Sequence, residues 1–597
     1  MANDVRVLFA DPNCRLVGSD SGYWIISGNR PDAIERVLTS ASSPRHAWDD
    51  LDGVVEDAIV VHISTRLDGA HEIDAFRSVT ATRELYTLRG SDGDVVVTDH
   101  FRNALAHLDV SDRTVTTAAI ADHLLFRAPI EPETYVSRVD ALGQGTWLQW
   151  SLRDDDQTRT QVSHLSGSSG SETPEGLAPD DAPAVIDRTL ASLLEDVCGG
   201  DTVATMLSGG VDSTLLHTYR EDEPSLVIQL DSPEVAFEQE YADLAASLLD
   251  AMPRRVDIDE SEYLSHLETS IDRLGFPSHY AQTALTDAAF ARDSDSIDAY
   301  LNGEGADALF GMPGAKGLRI ATWFDSLLTR VPDRASTVVP GPLSDQFDSL
   351  LRIATQAGRH PADPDSFAVQ LPFYTDSDVV ATALGAETVD QRIHAQYDYL
   401  TQRVDLAADD AFSRHAAYGH LYCFLRHNTC GQWRQLAYSH DTTVVYPFRC
   451  ERLARRGLAV PTRRRYVQGL RDVGTLAPTF LEPKYLLKSL LADRCTDYPV
   501  EQQKGSGALP IERYFESGPL DTVFDRYDPP AFVPDSMHAD HIESYGPVTW
   551  NLITYAIWRD RVLSNPDIEP VEGSREWIQS ISEGSCSSAH GPVSNGD

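Results

Sequence analysis

At 597 residues the chain is too long for one compact core, so size alone calls for two or three domains. Its 92 acidic residues against 49 basic ones give a net charge of −43, which disfavours nucleic acid or an anionic membrane as a partner. Four basic residues are lysine (Lys316, Lys484, Lys488, Lys504) and the rest arginine, a balance that resembles a halophilic cytosol, where salt screens self-repulsion.

Residues 1–160 carry short β-rich runs at 5–9, 23–27, 58–64, 84–88, 94–98 and 146–151, with two helical stretches between polar turns. That spacing predicts a layered α+β domain with largely antiparallel strands. From 153 to 183 the composition shifts to Asp, Ser, Gly, Thr and Pro, and 161–183 reads as a linker. A helix at 184–197 then leads into an apolar strand, 203–207, followed by Ser208-Gly-Gly-Val-Asp-Ser213 and an amphipathic start at 214–219. Strands at 226–230, 255–258 and 299–301, with a helix at 238–249, predict a parallel, doubly wound sheet. Between 317 and 560 the apolar spacing is mostly helical, with Trp433, Trp550 and Trp558 as packing residues, and the second domain is expected over 184–565. Residues 566–597 end in a Gly/Ser-rich stretch and read as a disordered tail. The seven cysteines are scattered without a CxxC pair, which fits a reducing cytoplasm rather than a disulfide framework or a zinc site. No basic leader opens the chain and no run of about 18 apolar residues occurs, so no membrane segment is expected.

A strand, a tight glycine turn and a helix start aim backbone N–H groups at phosphate. The turn at Ser208 lacks the lysine of a Walker A loop, and its one charged residue, Asp212, is acidic. A carboxylate beside bound phosphates requires a divalent cation between them, so the loop reads as a magnesium-nucleotide site and resembles the PP-loop of ATP pyrophosphatases. A second turn, Gly303-Glu-Gly-Ala-Asp307, follows the strand ending at Leu301. Loops at the carboxyl ends of parallel strands share one edge, so Asp212 and Asp307 can converge on one cation. In a chain almost without lysine, the three between 484 and 504 stand out, and Lys484 and Lys488 have the spacing of one helix face.

The segments SGGVDS, NGEGADALFG, VVYPFRCERL, KYLLKSLL, QQKGSG and TWNLITYAIW, with AIADHLLFRAPIEPETYVSRVDALGQGTWL ahead of the linker, resemble the glutamine-hydrolysing asparagine synthetase family over nearly the whole chain. The resemblance implies an Ntn-type glutaminase-like sandwich, then an α/β PP-loop ATP pyrophosphatase domain with a helical C-terminal part. It implies a ligase using ATP and Mg2+: a substrate carboxylate attacks the α phosphorus, pyrophosphate leaves, and an amine displaces AMP. Residue by residue, Ser208, Gly209, Gly210 and Ser213 would hold pyrophosphate, and Leu207, Ile228 and Gly303 would flank adenine or ribose. Asp212 and Asp307 would hold the metal, and Lys484 and Lys488 would contact phosphate. Glu304 would orient or deprotonate the amine, and Lys504 would follow charge onto the α phosphate or the tetrahedral oxyanion. Glu238 matches a helix beside the nucleotide and reads as structural, and a homodimer is a family expectation.

Several positions depart from the pattern. The family glutaminase uses an N-terminal cysteine as nucleophile; this chain opens Met1-Ala2 and its first cysteine is Cys14. The first domain is therefore expected to be a retained scaffold fed by free ammonia or another amine. The family's GADE is Gly305-Ala-Asp-Ala308, its PFLD is Pro447-Phe448-Arg449-Cys450, and the preceding E-x-R is Thr443-Val444-Val445. Glu304 in the GEG turn favours aspartate as the acyl substrate and those changes favour a different one, so a peptide or β-lactam type cyclase, like the β-lactam synthetases and lasso-peptide cyclases of the same fold, is one alternative. A catalytically silent ATP-binding relative is the alternative of another class.

Overall fold

The computed structural model describes residues 4–579 apart from 20–21, 41–50, 52–53, 66–70, 153–155, 163–179, 200, 312–374, 376, 404–417, 425–428, 461–483 and 501–508. Ten strands come from the first part of the chain: β1 (Val5–Phe9), β2 (Arg15–Ser19), β3 (Gly22–Gly28), β4 (Ala58–Thr65), β5 (His71–Arg77), β6 (Tyr86–Arg89), β7 (Val95–Thr98), β8 (Val139–Ala141), β9 (Thr146–Ser151) and β10 (Asp156–Gln161). Together with a last strand, β16 (Arg575–Gln579), they form two sheets of order β16-β1-β7-β6-β8 and β10-β9-β5-β4-β3-β2. Every neighbouring pair runs antiparallel except β1 and β7.

The alternation of side chains explains why these segments pair as they do. Val5, Val7 and Phe9 of β1 meet Ile59, Val61 and Ile63 of β4 in a core between the sheets, while Leu8 and Val96 face the larger second domain. A strand buried on both faces reads as a continuous apolar run, which is how β7 announces itself. Strands β2, β5, β8 and β10 were not expected. β5 carries Glu72, Asp74 and Arg77 among its apolar residues, β8 has three residues, and β10 is a polar edge strand. β10 also occupies ground that composition assigned to the start of the linker.

A larger correction concerns 566–597, expected as a disordered tail. Within it, residues 575–579 pair with all five residues of β1, and Trp577 lies edge-on to Phe9 with ring centroids 6.4 Å apart. One aromatic among polar neighbours gives no periodic signal, and the strand exists because the edge of β1 is there to pair with. Residues 580–597 lie outside the described set.

The second domain is built on β11 (Val203–Met206), β12 (Ser225–Leu230), β13 (Arg254–Ile258), β14 (Ala299–Leu301) and β15 (Thr443–Val445), all parallel, in the order β13-β12-β11-β14-β15. The chain leaves β11 in one direction and returns at β14 in the other, so the switch point of this doubly wound sheet lies between those two strands. The helix Ala182–Cys198 lays Ile186, Leu190, Leu193, Leu194 and Val197 on the core at helical spacing. Trp433, Trp550 and Trp558 are buried; the last two donate to the carbonyls of His279 (3.3 Å) and Gly275 (2.7 Å).

Charged side chains join the two domains. Asp57 of the first accepts from Thr82 N–H and Thr82 Oγ1, both 2.7 Å, and from Arg434 Nη2 of the second at 2.6 Å. Arg83 adds a contact to Asp57 at 3.5 Å, and Arg449 donates to Thr80 O at 3.2 Å. Asp57, Arg434 and Arg449 are fully buried.

Candidate active site

Ser208 follows β11, and the loop turns sharply on Gly209, whose φ of +71° is left-handed. A Cβ there would lie 2.2 Å from the carbonyl carbon of Tyr241 and 2.4 Å from Ala242 N, so glycine is required by conformation and by space. The Tyr498 hydroxyl donates to Gly209 O from the far side. Inside the loop, Ser208 N donates to Ser213 Oγ (3.2 Å), Ser208 Oγ and Ser213 Oγ share a 3.1 Å hydrogen bond, and Ser213 Oγ reaches Gly210 O at 3.3 Å. The helix Val211–His217 starts at once, with Gly210 as its N-cap and Asp212 in its first turn. Gly209→Ala is expected to cost more than the roughly 1 kcal/mol of left-handed strain alone, since the clash is with backbone; a thermal melt of the variant checks this.

The second turn packs directly against the first. A Cβ on Gly303 would lie 2.9 Å from Asp212 Cβ, so only glycine lets the loops after β11 and β14 approach this closely. Gly305, at φ +100°, caps the helix Ala306–Phe310 and faces Phe448, whose Cβ would be 3.2 Å from an added methyl. The Pro447–Arg449 turn after β15 thus backs the Glu304 turn. Glu304 N donates to Asn302 Oδ1 at 2.8 Å, which fixes the turn. Tyr280 is close enough to Glu304 and Asp307 that, after burial, their charges raise its pKa further. His420 is pushed down to about 4 by burial, with Asp307 pulling the other way, so it is neutral at pH 7.

Asp212 and Asp307 converge as their positions at the sheet edge imply, and the meeting point is held by Lys484. Its Nζ pairs with Asp212 Oδ2 and lies 2.6 Å from Asp307 Oδ1. Burial opposes a charge on Lys484, but the two carboxylates outweigh it and raise its pKa, so the ammonium is permanent at neutral pH. Lys484 is the N-cap of the helix Tyr485–Arg494 in a left-handed conformation (φ +59°), its N–H donating to Phe310 O at 3.1 Å. It stands one position outside the helix that carries Lys488, which corrects the expectation that both lie within it; Lys488 N donates to Lys484 O at 2.9 Å.

Leu207 is buried under the loop, its N–H bonded to Leu226 O at 2.8 Å, and Ile228 sits half-buried on β12. Lys504 lies outside the described residues. Tyr280, His420 and Tyr498 also border the site, and each gives only an ordinary packing signal in the sequence. The donor set fits a divalent cation: two carboxylates that reach one nitrogen also reach one hard cation. Among the described residues no group of three or more His, Cys, Asp or Glu side chains forms a metal cage, so such a cation takes its other ligands from elsewhere.

Two glycine turns, each bearing an aspartate, at the switch point of a parallel sheet place the chain among α/β proteins whose ligand crevice lies at the carboxyl edge of the strands. The particular family follows from comparison: the asparagine synthase family model matches residues 191–532, more than half of the chain, and the protein belongs to that family. It is also 29% identical over 136 residues to a Methanocaldococcus jannaschii protein named "Putative asparagine synthetase (glutamine-hydrolyzing) 1". That similarity takes in 22% of this chain and about a quarter (25%) of the relative's length.

Proposed function

We propose that the protein is an ATP-dependent, AMP-forming amide ligase of the asparagine synthetase kind. The carrying observation is the meeting of Asp212, Asp307 and Lys484 between the Ser208 loop and the Glu304 turn. In this reading the backbone of Gly209 and Gly210 with Ser208 and Ser213 holds the pyrophosphate of ATP, and Leu207, Ile228 and Gly303 flank its nucleoside. Mg2+ held by Asp212 and Asp307, when bound, neutralises charge on the leaving group. Lys484 and Lys488 contact phosphate oxygens, Lys504 follows the charge that develops at the α phosphorus, and Glu304 orients the amine and takes its proton.

The first domain, a two-sheet layer consistent with an Ntn-type glutaminase frame, serves as a scaffold. Cys14 is buried, with a thiol pushed up chiefly by burial, which makes it unsuited to attack glutamine. Free ammonia or another amine is then the nucleophile. The second reading, a peptide or β-lactam type cyclase, rests on the departure from the family pattern at Arg449 and Cys450, both of them buried. Small-molecule substrates, a cytoplasmic setting at high salt and a homodimer complete the proposal. No helix among the described residues is long and apolar enough to cross a membrane.

Pyrophosphate release on adding MgATP, aspartate and ammonium in molar potassium chloride tests the reading. Multiple-turnover release with ammonium but not with glutamine supports the scaffold role; no release with aspartate moves the assignment to another carboxylate. Absence of release with every carboxylate tried denies ligation. Glu304→Gln is expected to keep carboxylate-dependent ATP–pyrophosphate exchange while lowering amide formation about 100-fold, the scale of one general base.

A further inference from the structure

Lys484 occupies the point at which the two carboxylates meet, and its side chain is only 7% exposed. A buried ammonium is tolerated when it is paired, and two adjacent carboxylates are tolerated when a cation separates them. Each side of this cluster therefore needs the other as long as nothing is bound. Bare Mg2+ entering between Asp212 and Asp307 would take both partners from Lys484 and leave a buried positive charge beside a divalent one. It would also have to shed water, which Mg2+ does reluctantly. A cation that arrives with a polyphosphate changes the balance, because phosphate oxygens offer Lys484 new partners while the metal takes the carboxylates. The backbone favours a fixed pivot for that exchange: Lys484 is pinned by its N–H to Phe310 O, 3.1 Å away, at the end of the short helix that begins with Ala306 and carries Asp307.

We infer that Lys484 is a placeholder for the metal, which excludes a free divalent cation from Asp212 and Asp307 and couples cation binding to nucleotide binding. This rests on the reading of those aspartates as the cation site. Coupling of this kind is reciprocal, so removing the ammonium loosens the dependence from both sides.

Mn2+ binding followed by electron paramagnetic resonance tests the inference, in molar potassium chloride so that the acidic surface does not collect the ion. Mn2+ alone is expected to show no stoichiometric site in the native protein, and one site on adding a non-hydrolysable ATP analogue. Lys484→Met, and Lys484→Gln as a second variant, are expected to bind Mn2+ alone at least about tenfold more tightly than the native protein. The inference is overturned if the native protein binds Mn2+ alone at a site that Asp212→Asn removes, a result that needs no lysine variant to fold. It is overturned equally if both folded lysine variants match the native affinity. The underlying cation-site reading fails separately if Asp212→Asn binds Mn2+ with the analogue as well as the native protein does.

Discussion

Asp212→Asn is expected to lower MgATP-dependent pyrophosphate release by about 100- to 1,000-fold, the scale on which one preorganised electrostatic contact acts in a transition state. The amide keeps the shape of the side chain in the first turn of Val211–His217 but neither neutralises Lys484 nor binds a divalent cation well. Asp307 remains as one carboxylate opposite the ammonium, so the buried charge keeps a partner and the fold survives. Steady-state pyrophosphate release at saturating MgATP measures the effect, with a melt as the folding control. A variant within threefold of the native rate would remove Asp212 from the chemistry.

The largest effect on stability is expected at Asp57, which belongs to a different cluster from Asp212, Asp307 and Lys484. Its carboxylate is fully buried and shared between Thr82, Arg83 and Arg434. Asp57→Asn leaves Arg434, itself buried, without its counter-charge across the domain boundary. Breaking one partner of a buried pair costs about 3–5 kcal/mol. Denaturant unfolding is expected to show that loss, and early separation of the first domain with it.

The same cluster sets an acid limit. Burial alone would raise the Asp57 pKa, but Arg434 and Arg83 outweigh it and hold the carboxyl below its ordinary value. A group depressed in the folded state stabilises above its unfolded pKa, about 3.9 for Asp. That contribution disappears as pH falls below about 4 and through the folded value. The difference in unfolding free energy between native and Asp57→Asn should therefore be constant near neutrality and shrink below pH 4.

What could be read in advance was local. Ser208–Ser213 and Gly303–Asp307 were legible because left-handed turns after apolar strands demand glycine, and strands buried on both faces write continuous apolar runs. The three-residue β15 and the polar strands β5, β10 and β16 were not, since their pairing is decided by partners distant in the chain: β16 exists because β1 offers an edge. The convergence of Asp212 and Asp307 followed from sheet topology, yet the residue between them did not. Lys484 could be marked as a phosphate contact, but that it bridges both aspartates depends on where the helix Tyr485–Arg494 docks. The Asp57–Arg434 pair was invisible for the same reason, because the two residues stand 377 apart in the chain and neither marks the other as its partner.

Transfer of an oxygen label tests the central claim most directly. A substrate carboxylate carrying 18O, offered with MgATP and ammonium, is predicted to give AMP with one 18O on its phosphorus, seen as an isotope shift in the 31P spectrum. Label appearing in inorganic phosphate, with ADP as the co-product, would place the attack on the γ phosphorus and contradict the account.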